Sequence, residues 1–131
     1  MEDSSSLASV PARLTFSTCT VDVATTNDGV VVQLAGELDM ADADQVGDVL
    51  LAAVDAASRR VRVQLSELRF ADSSAIKAIL IGAQAADERG IGYELVNPRG
   101  LVERLLEVTG LNQALTVVHE PESSNGTNGA T

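Results

Sequence analysis

The sequence predicts a single α/β domain: a mainly parallel mixed sheet, begun by an antiparallel hairpin and joined by about three helices. Three observations predict it. Apolar residues alternate at a period of two in some segments and recur at helical spacing in others, and the two patterns take turns along the chain. Asn27-Asp28-Gly29, between two apolar runs, has the residues of a tight hairpin turn. The chain has 131 residues and is 45% hydrophobic, enough for one core and one domain.

Taken in order, Leu14 to Thr25 shows mixed alternation (Phe16, Val21, Val23) and reads as the first strand, with Val30 to Ala35 as its hairpin partner. Asp39-Met40-Ala41-Asp42 reads as a variant capping box, a carboxylate accepting the free amides of a helix start. The helix behind it puts Val46, Leu50, Ala53, Val54 and Ala57 on one face. Val61, Val63 and Leu65 then alternate with Arg62 and Gln64 in a strand. Asp72-Ser73-Ser74 opens the second helix, which should bury Ile76, Ile79, Leu80 and Ala83 and stop at Gly90. Tyr93 to Val96 is a short strand. Asn97-Pro98 supplies a cap and a first-turn proline for the third helix, which is lined by Val102, Leu105 and Leu106 and ended by Gly110. Ala114 to Val118 is the last strand. In such a fold the helix starts gather near the strand ends, where sites tend to lie.

Residues 1–12 are serine-rich and 121–131 hold no large apolar side chain, so both are expected to be flexible tails around a body at 13–120. Nine basic and nineteen acidic residues give a formal charge of −10, and sixteen of the acidic residues lie in the body. That field repels a phosphate backbone. The three aromatics, Phe16, Phe70 and Tyr93, make no stacking platform, so direct nucleic-acid binding is not expected. Cys19 is the only cysteine and lies in a strand-like stretch, which reads as a buried structural thiol. With His119 the only histidine, no Cys/His zinc cluster can form. The N-terminus lacks a signal-peptide core, and the apolar stretch around Ile76 to Ala86 is too short for a membrane span. A cytoplasmic protein without cofactor or metal is expected.

Two constellations stand out. At Asp72-Ser73-Ser74 the bland reading is that the serines are helix caps. The functional reading is that a phosphate placed there is stabilised by free amides and the helix dipole, and adds about −1.5 to −2 charges to a docking surface. The second is acidic: Glu37, Asp39, Asp42, Asp44 and Asp48, with no Lys or Arg between Arg13 and Arg59. Helix-start complementation explains part of it. It suits docking of a basic partner better than a divalent ion. A small hydrolase would have to recruit Ser73 or Ser74, His119 and an Asp, but there is no G-x-S-x-G elbow and His119 lies next to the tail.

Three segments together resemble the STAS family, and within it the bacterial anti-sigma factor antagonists. They are Leu34-Ala35-Gly36-Glu37-Leu38-Asp39, Val63-Gln64-Leu65 through Phe70-Ala71-Asp72-Ser73-Ser74, and Asn97-Pro98 with Val102, Leu105, Leu106, Thr109, Gly110 and Leu111. The resemblance implies a binding module, not an enzyme. Its partner would be an anti-sigma factor with an ATP-binding kinase fold, docked through Asp39, Asp72, Ser73, Ser74, Ala75 and Lys77. Docking would free a sigma factor, and phosphorylation of Ser74 would end it. Ala75 and Lys77 stand where the family pattern commonly has glycine. An alternative use of the same fold is an unphosphorylated accessory subunit of a membrane transport complex or a stress-signalling scaffold.

Overall fold

The structure is a computed structural model that describes residues 12–121. Strands β1 (Ala12–Thr15), β2 (Cys19–Thr26) and β3 (Gly29–Leu38) come first, followed by helix α1 (Ala43–Ala56) and strand β4 (Arg60–Ala71). Then come α2 (Ser73–Arg89), β5 (Gly92–Val96), α3 (Gly100–Thr109), the short α4 (Leu111–Ala114) and β6 (Thr116–Val118). The six strands form one sheet in sequence order. β1–β2 and β2–β3 pair antiparallel, and the remaining pairs are parallel. Each parallel neighbour is also the next strand along the chain, so crossovers of the common right hand bring their helices to one face.

Burial follows from that arrangement. Val30, Val32 and Leu34 of β3, Val61, Val63 and Leu65 of β4, and Tyr93 and Leu95 of β5 are buried in one core. Their alternates Val31, Gln33, Arg60, Arg62, Gln64 and Glu94 are half-buried on the opposite, open face. From α1 the core takes Val46, Leu50, Ala53 and Val54, with Ala57 just beyond, as the periodicity predicts. On α2 the buried stripe is Ala75, Ile76, Ala78, Ile79, Gly82 and Ala86, while Leu80 and Ala83 are half-buried. Four of those six are alanine or glycine, because α2 lies close to its neighbours. A Cβ on Gly47 of α1 would stand 3.7 Å from the Ala78 Cβ. The space over Gly82 is filled by the Tyr93 ring, whose hydroxyl donates to the Ile79 carbonyl at 2.9 Å.

Several local expectations change. The predicted first strand is two strands, because the chain reverses at Phe16-Ser17-Thr18, where the Phe16 amide donates to the Cys19 carbonyl at 2.8 Å. The Asn27-Asp28 turn forms without positive φ at either residue. Instead the Thr26 hydroxyl accepts the Asp28 and Gly29 amides at 3.2 and 3.1 Å. Asn97 does not cap a helix: α3 starts at Gly100 with Arg99 at its N-cap. Asn97 takes a positive φ of 56°, accepts the Glu120 amide at 2.7 Å and donates its own amide to the Val118 carbonyl at 2.8 Å. It therefore anchors the end of β6. Ala114 ends α4 and the last strand begins at Thr116. Ala12, expected in the N-terminal tail, is the first residue of β1. The expectations for 1–11 and 122–131 lie outside the described residues.

Candidate functional site

Leu38 and Ala71 are paired at the C-terminal ends of β3 and β4. The residues that follow them are Asp39 and Asp72, and the Asp72 amide donates to the Leu38 carbonyl at 3.3 Å. The two loops that lead into α1 and α2 are thus tied at their roots, which places the Asp39 loop beside the start of α2.

The start of α2 is capped by Asp72. Its extended backbone turns the side chain over the helix end, where Oδ1 accepts the amides of Ser74 at 2.9 Å and Ala75 at 3.1 Å. The serines are therefore spare. Neither the Ser73 nor the Ser74 hydroxyl makes a hydrogen bond among the described residues. Ser73 is exposed, Ser74 half-buried and Ala75 wholly buried beneath them. Lys77, one turn further along, is exposed.

The Asp39 loop is built differently from the capping box expected of it. Asp39 Oδ1 accepts the Ala41 amide at 3.0 Å, and the Asp39 carbonyl accepts the Asp42 and Ala43 amides at 3.1 and 3.0 Å. Asp42 holds the N-cap position of α1 but makes no side-chain capping bond. Its carboxylate, 1% exposed, turns back to the β1–β2 turn and accepts the amides of Ser17 at 3.2 Å and Thr18 at 2.9 Å. Those amides lie in a turn and have no ladder partner, so the carboxylate is worth more there than on its own helix. Thr18 is held from the other side as well. Its carbonyl accepts the Glu37 amide at 2.9 Å and its hydroxyl donates to the Glu37 carbonyl at 3.0 Å. Gly36 makes this approach feasible: at φ 94°, a Cβ there would stand 2.5 Å from the Thr18 carbonyl oxygen.

From this end a groove of about 580 Å³ runs between α1 and α2. Asp44 and Asp48 line one wall and Ser74 and Lys77 the other, over Gly47 and Ala78, with Met40, Leu51 and Ile81 on the rims. Met40 is 75% exposed at the loop tip. Asp44, Asp48 and Lys77 have no hydrogen-bond or ion-pair partner among the described residues.

The structure thus gathers Asp72, Ser73, Ser74, Ala75 and Lys77 at one helix start and sets Asp39 in the adjoining loop. The apolar rim and the buried strut Asp42 were not apparent in the sequence. Cys19 is buried, and desolvation pushes its thiol up to about 11, which leaves it inert as a nucleophile. His119 lies 3.3 Å from Glu103, and neither serine hydroxyl bonds to it, so no triad is assembled. Among the described residues no three His, Cys, Asp or Glu side chains group to hold a metal ion, and no helix is long and apolar enough to cross a membrane.

No curated protein sequence matches the chain. Solved structures do. An anti-sigma factor antagonist from Mycobacterium paratuberculosis is 24% identical, with a TM-score of 0.67 over 84% of this chain and 92% of that one. An anti-sigma-factor antagonist (STAS) domain protein from Planctomyces limnophilus is 19% identical, with a TM-score of 0.70 over 79% and 93%. The phosphorylated form of the Bacillus cell fate determinant SpoIIAA is 20% identical, with a TM-score of 0.61 over 88% and 96%. At these identities the likeness is one of fold. The sequence itself matches the family described as "Mlab, STAS domain" over residues 21–118, nearly all of the folded body, and the chain therefore belongs to the STAS domain family.

Proposed function

We propose that the chain is a cytoplasmic anti-sigma factor antagonist. It docks through the Asp39 loop and the start of α2 on an anti-sigma factor of ATP-binding kinase fold, which frees a sigma factor. Phosphorylation of Ser74 ends the interaction. It acts by binding, not by catalysis. The observation that carries this reading is the division of labour at the start of α2: Asp72 alone satisfies the helix end, which leaves the Ser74 hydroxyl unbonded beside the groove. A hydroxyl used as a cap would have to surrender that bond to react. SpoIIAA, whose fold this chain shares, has been solved in a phosphorylated form.

In the transfer step Ser74 Oγ forms a bond to the γ-phosphorus of ATP while the bond from that phosphorus to the β–γ bridging oxygen breaks. ADP leaves, and the serine proton passes to a base of the kinase. The product carries about −1.5 to −2 charges at the mouth of a groove already lined by Asp44 and Asp48. A partner surface fitted to a neutral hydroxyl must then desolvate a dianion, which weakens docking.

The test is incubation with ATP and an anti-sigma factor kinase captured on the chain, followed by mapping of the phosphate by mass spectrometry. The expected result is a phosphate on Ser74, an affinity lowered about tenfold or more, and a Ser74→Ala variant that binds and is not released. Phosphate mapped to Ser73 or to residues 1–11 overturns the assignment. Binding to transport or scaffold proteins that is indifferent to a phosphate on Ser74 replaces this function with the alternative use of the fold.

A further inference from the structure

We propose that Lys77 is the internal counter-ion of a phosphate on Ser74, an inference that rests on the phosphorylation reading above. Ser74 and Lys77 are three residues apart on α2, within side-chain reach of each other, and line the same groove. Lys77 has no hydrogen-bond or ion-pair partner among the described residues. Asp44 and Asp48 line the opposite wall, yet neither comes within ion-pair distance. The lysine also stands one turn from the positive end of the α2 dipole, and the first turn of that helix carries no acidic side chain. A cation placed against the dipole with no compensating contact breaks a local rule of helix construction, and such breaks are expected at functional positions.

A phosphate on Ser74 supplies the missing contact. The charged groups that share its groove are Asp44 and Asp48 of α1 and Lys77, with Asp72 at the cap and Asp39 in the adjoining loop. Against four carboxylates, Lys77 is the one cation that lines the groove. It is also the only lysine of the chain; the other basic residues are arginines. Its ammonium is a compact charge on a flexible stem and can move between solvent and phosphate, as a planar guanidinium does less readily. Phosphorylation then changes the docking face twice. It adds a dianion, and it withdraws the one cation that lines the groove into an internal pair.

The test uses the full chain with phosphoserine incorporated at position 74 during synthesis, so that no kinase is involved. Reductive methylation with ¹³C-formaldehyde labels Lys77 as the single lysine signal, separate from the α-amino group. Its titration midpoint is expected to rise by about 0.3 unit or more over the unmodified chain, and the rise should shrink in about 0.5 M salt. In parallel, ³¹P titration should place the second phosphate ionisation lower in the native chain than in Lys77→Gln, from a starting value of about 6. Midpoints that agree within about 0.1 unit in both titrations overturn the proposal. If these titrations couple but no kinase modifies Ser74, the proposed function fails and the pairing stands. If the kinase acts and the titrations do not couple, only the pairing fails.

Discussion

On the open face of the sheet Arg60 reaches Asp28 and Glu94, at 2.6 and 3.0 Å, and Arg62 reaches Glu94 at 2.9 Å as well as Glu120. Opposite charges alternate without a gap from the β2–β3 turn to the residues beyond β6, and Arg13 pairs with Asp22 at 2.8 Å on the same face. In the groove between α1 and α2, by contrast, Asp44, Asp48 and Lys77 reach no partner among the described residues. Charges that neutralise one another add little to an approaching surface. Unpaired charges steer and select it. The difference separates a face whose charges hold the sheet together from a face whose charges stay open to an approaching surface. The same contrast appears at the start of α1, where the N-cap Asp42 is buried and fully used while Asp44 and Asp48, two and six residues on, are exposed.

The largest effect is expected at Asp42. Asp42→Ala leaves two amides of the β1–β2 turn without their acceptor and should cost about 3 kcal/mol of stability in urea unfolding. A loss under about 1 kcal/mol would show that water serves those amides equally well. Glu94→Ala comes next. It takes one of two carboxylate partners from each of Arg60 and Arg62 on the open face and should cost about 1 kcal/mol, less at high salt, with partner affinity unchanged. Asp44→Asn with Asp48→Asn should move stability least, within about 0.5 kcal/mol, but slow association with the anti-sigma factor several-fold at low ionic strength. A pair of groove variants that destabilises the chain more than Glu94→Ala would invert the comparison.

Much of this was legible in the sequence because it depends on neighbours. Period-two runs such as Val61, Val63 and Leu65, the helical spacing of Val46, Leu50 and Val54, and the stop at Gly90 each report on a few adjacent residues, and the structure keeps them. What escaped depends on distant partners. Asp42 looks like a helix cap until Ser17 and Thr18, some 24 residues earlier, are brought against it. Asn97 looks like one too until Glu120 arrives. The break between β1 and β2 was hidden because apolar residues continue on both sides of it, although Ser17-Thr18 is a fair turn signal. At the candidate site, Asp-Ser-Ser marked the helix start. Which of the three residues caps the helix was settled only by the direction of the Asp72 side chain.

Tyr93 is the only tyrosine, and the chain has no tryptophan. Its phenol lies beneath the middle of α2, bonded to the Ile79 carbonyl and covered at Gly82, and burial pushes its ionisation upward. The chain thus carries a single phenol or indole emitter, excited apart from Phe16 and Phe70 and fastened to the helix that begins at Ser73. Displacement of that helix from the sheet breaks the phenol's hydrogen bond and alters its emission and near-ultraviolet dichroism. A phosphate added with the helix in place leaves both as they were. An unlabelled sample therefore distinguishes, by its spectrum, a switch worked by charge from one worked by movement.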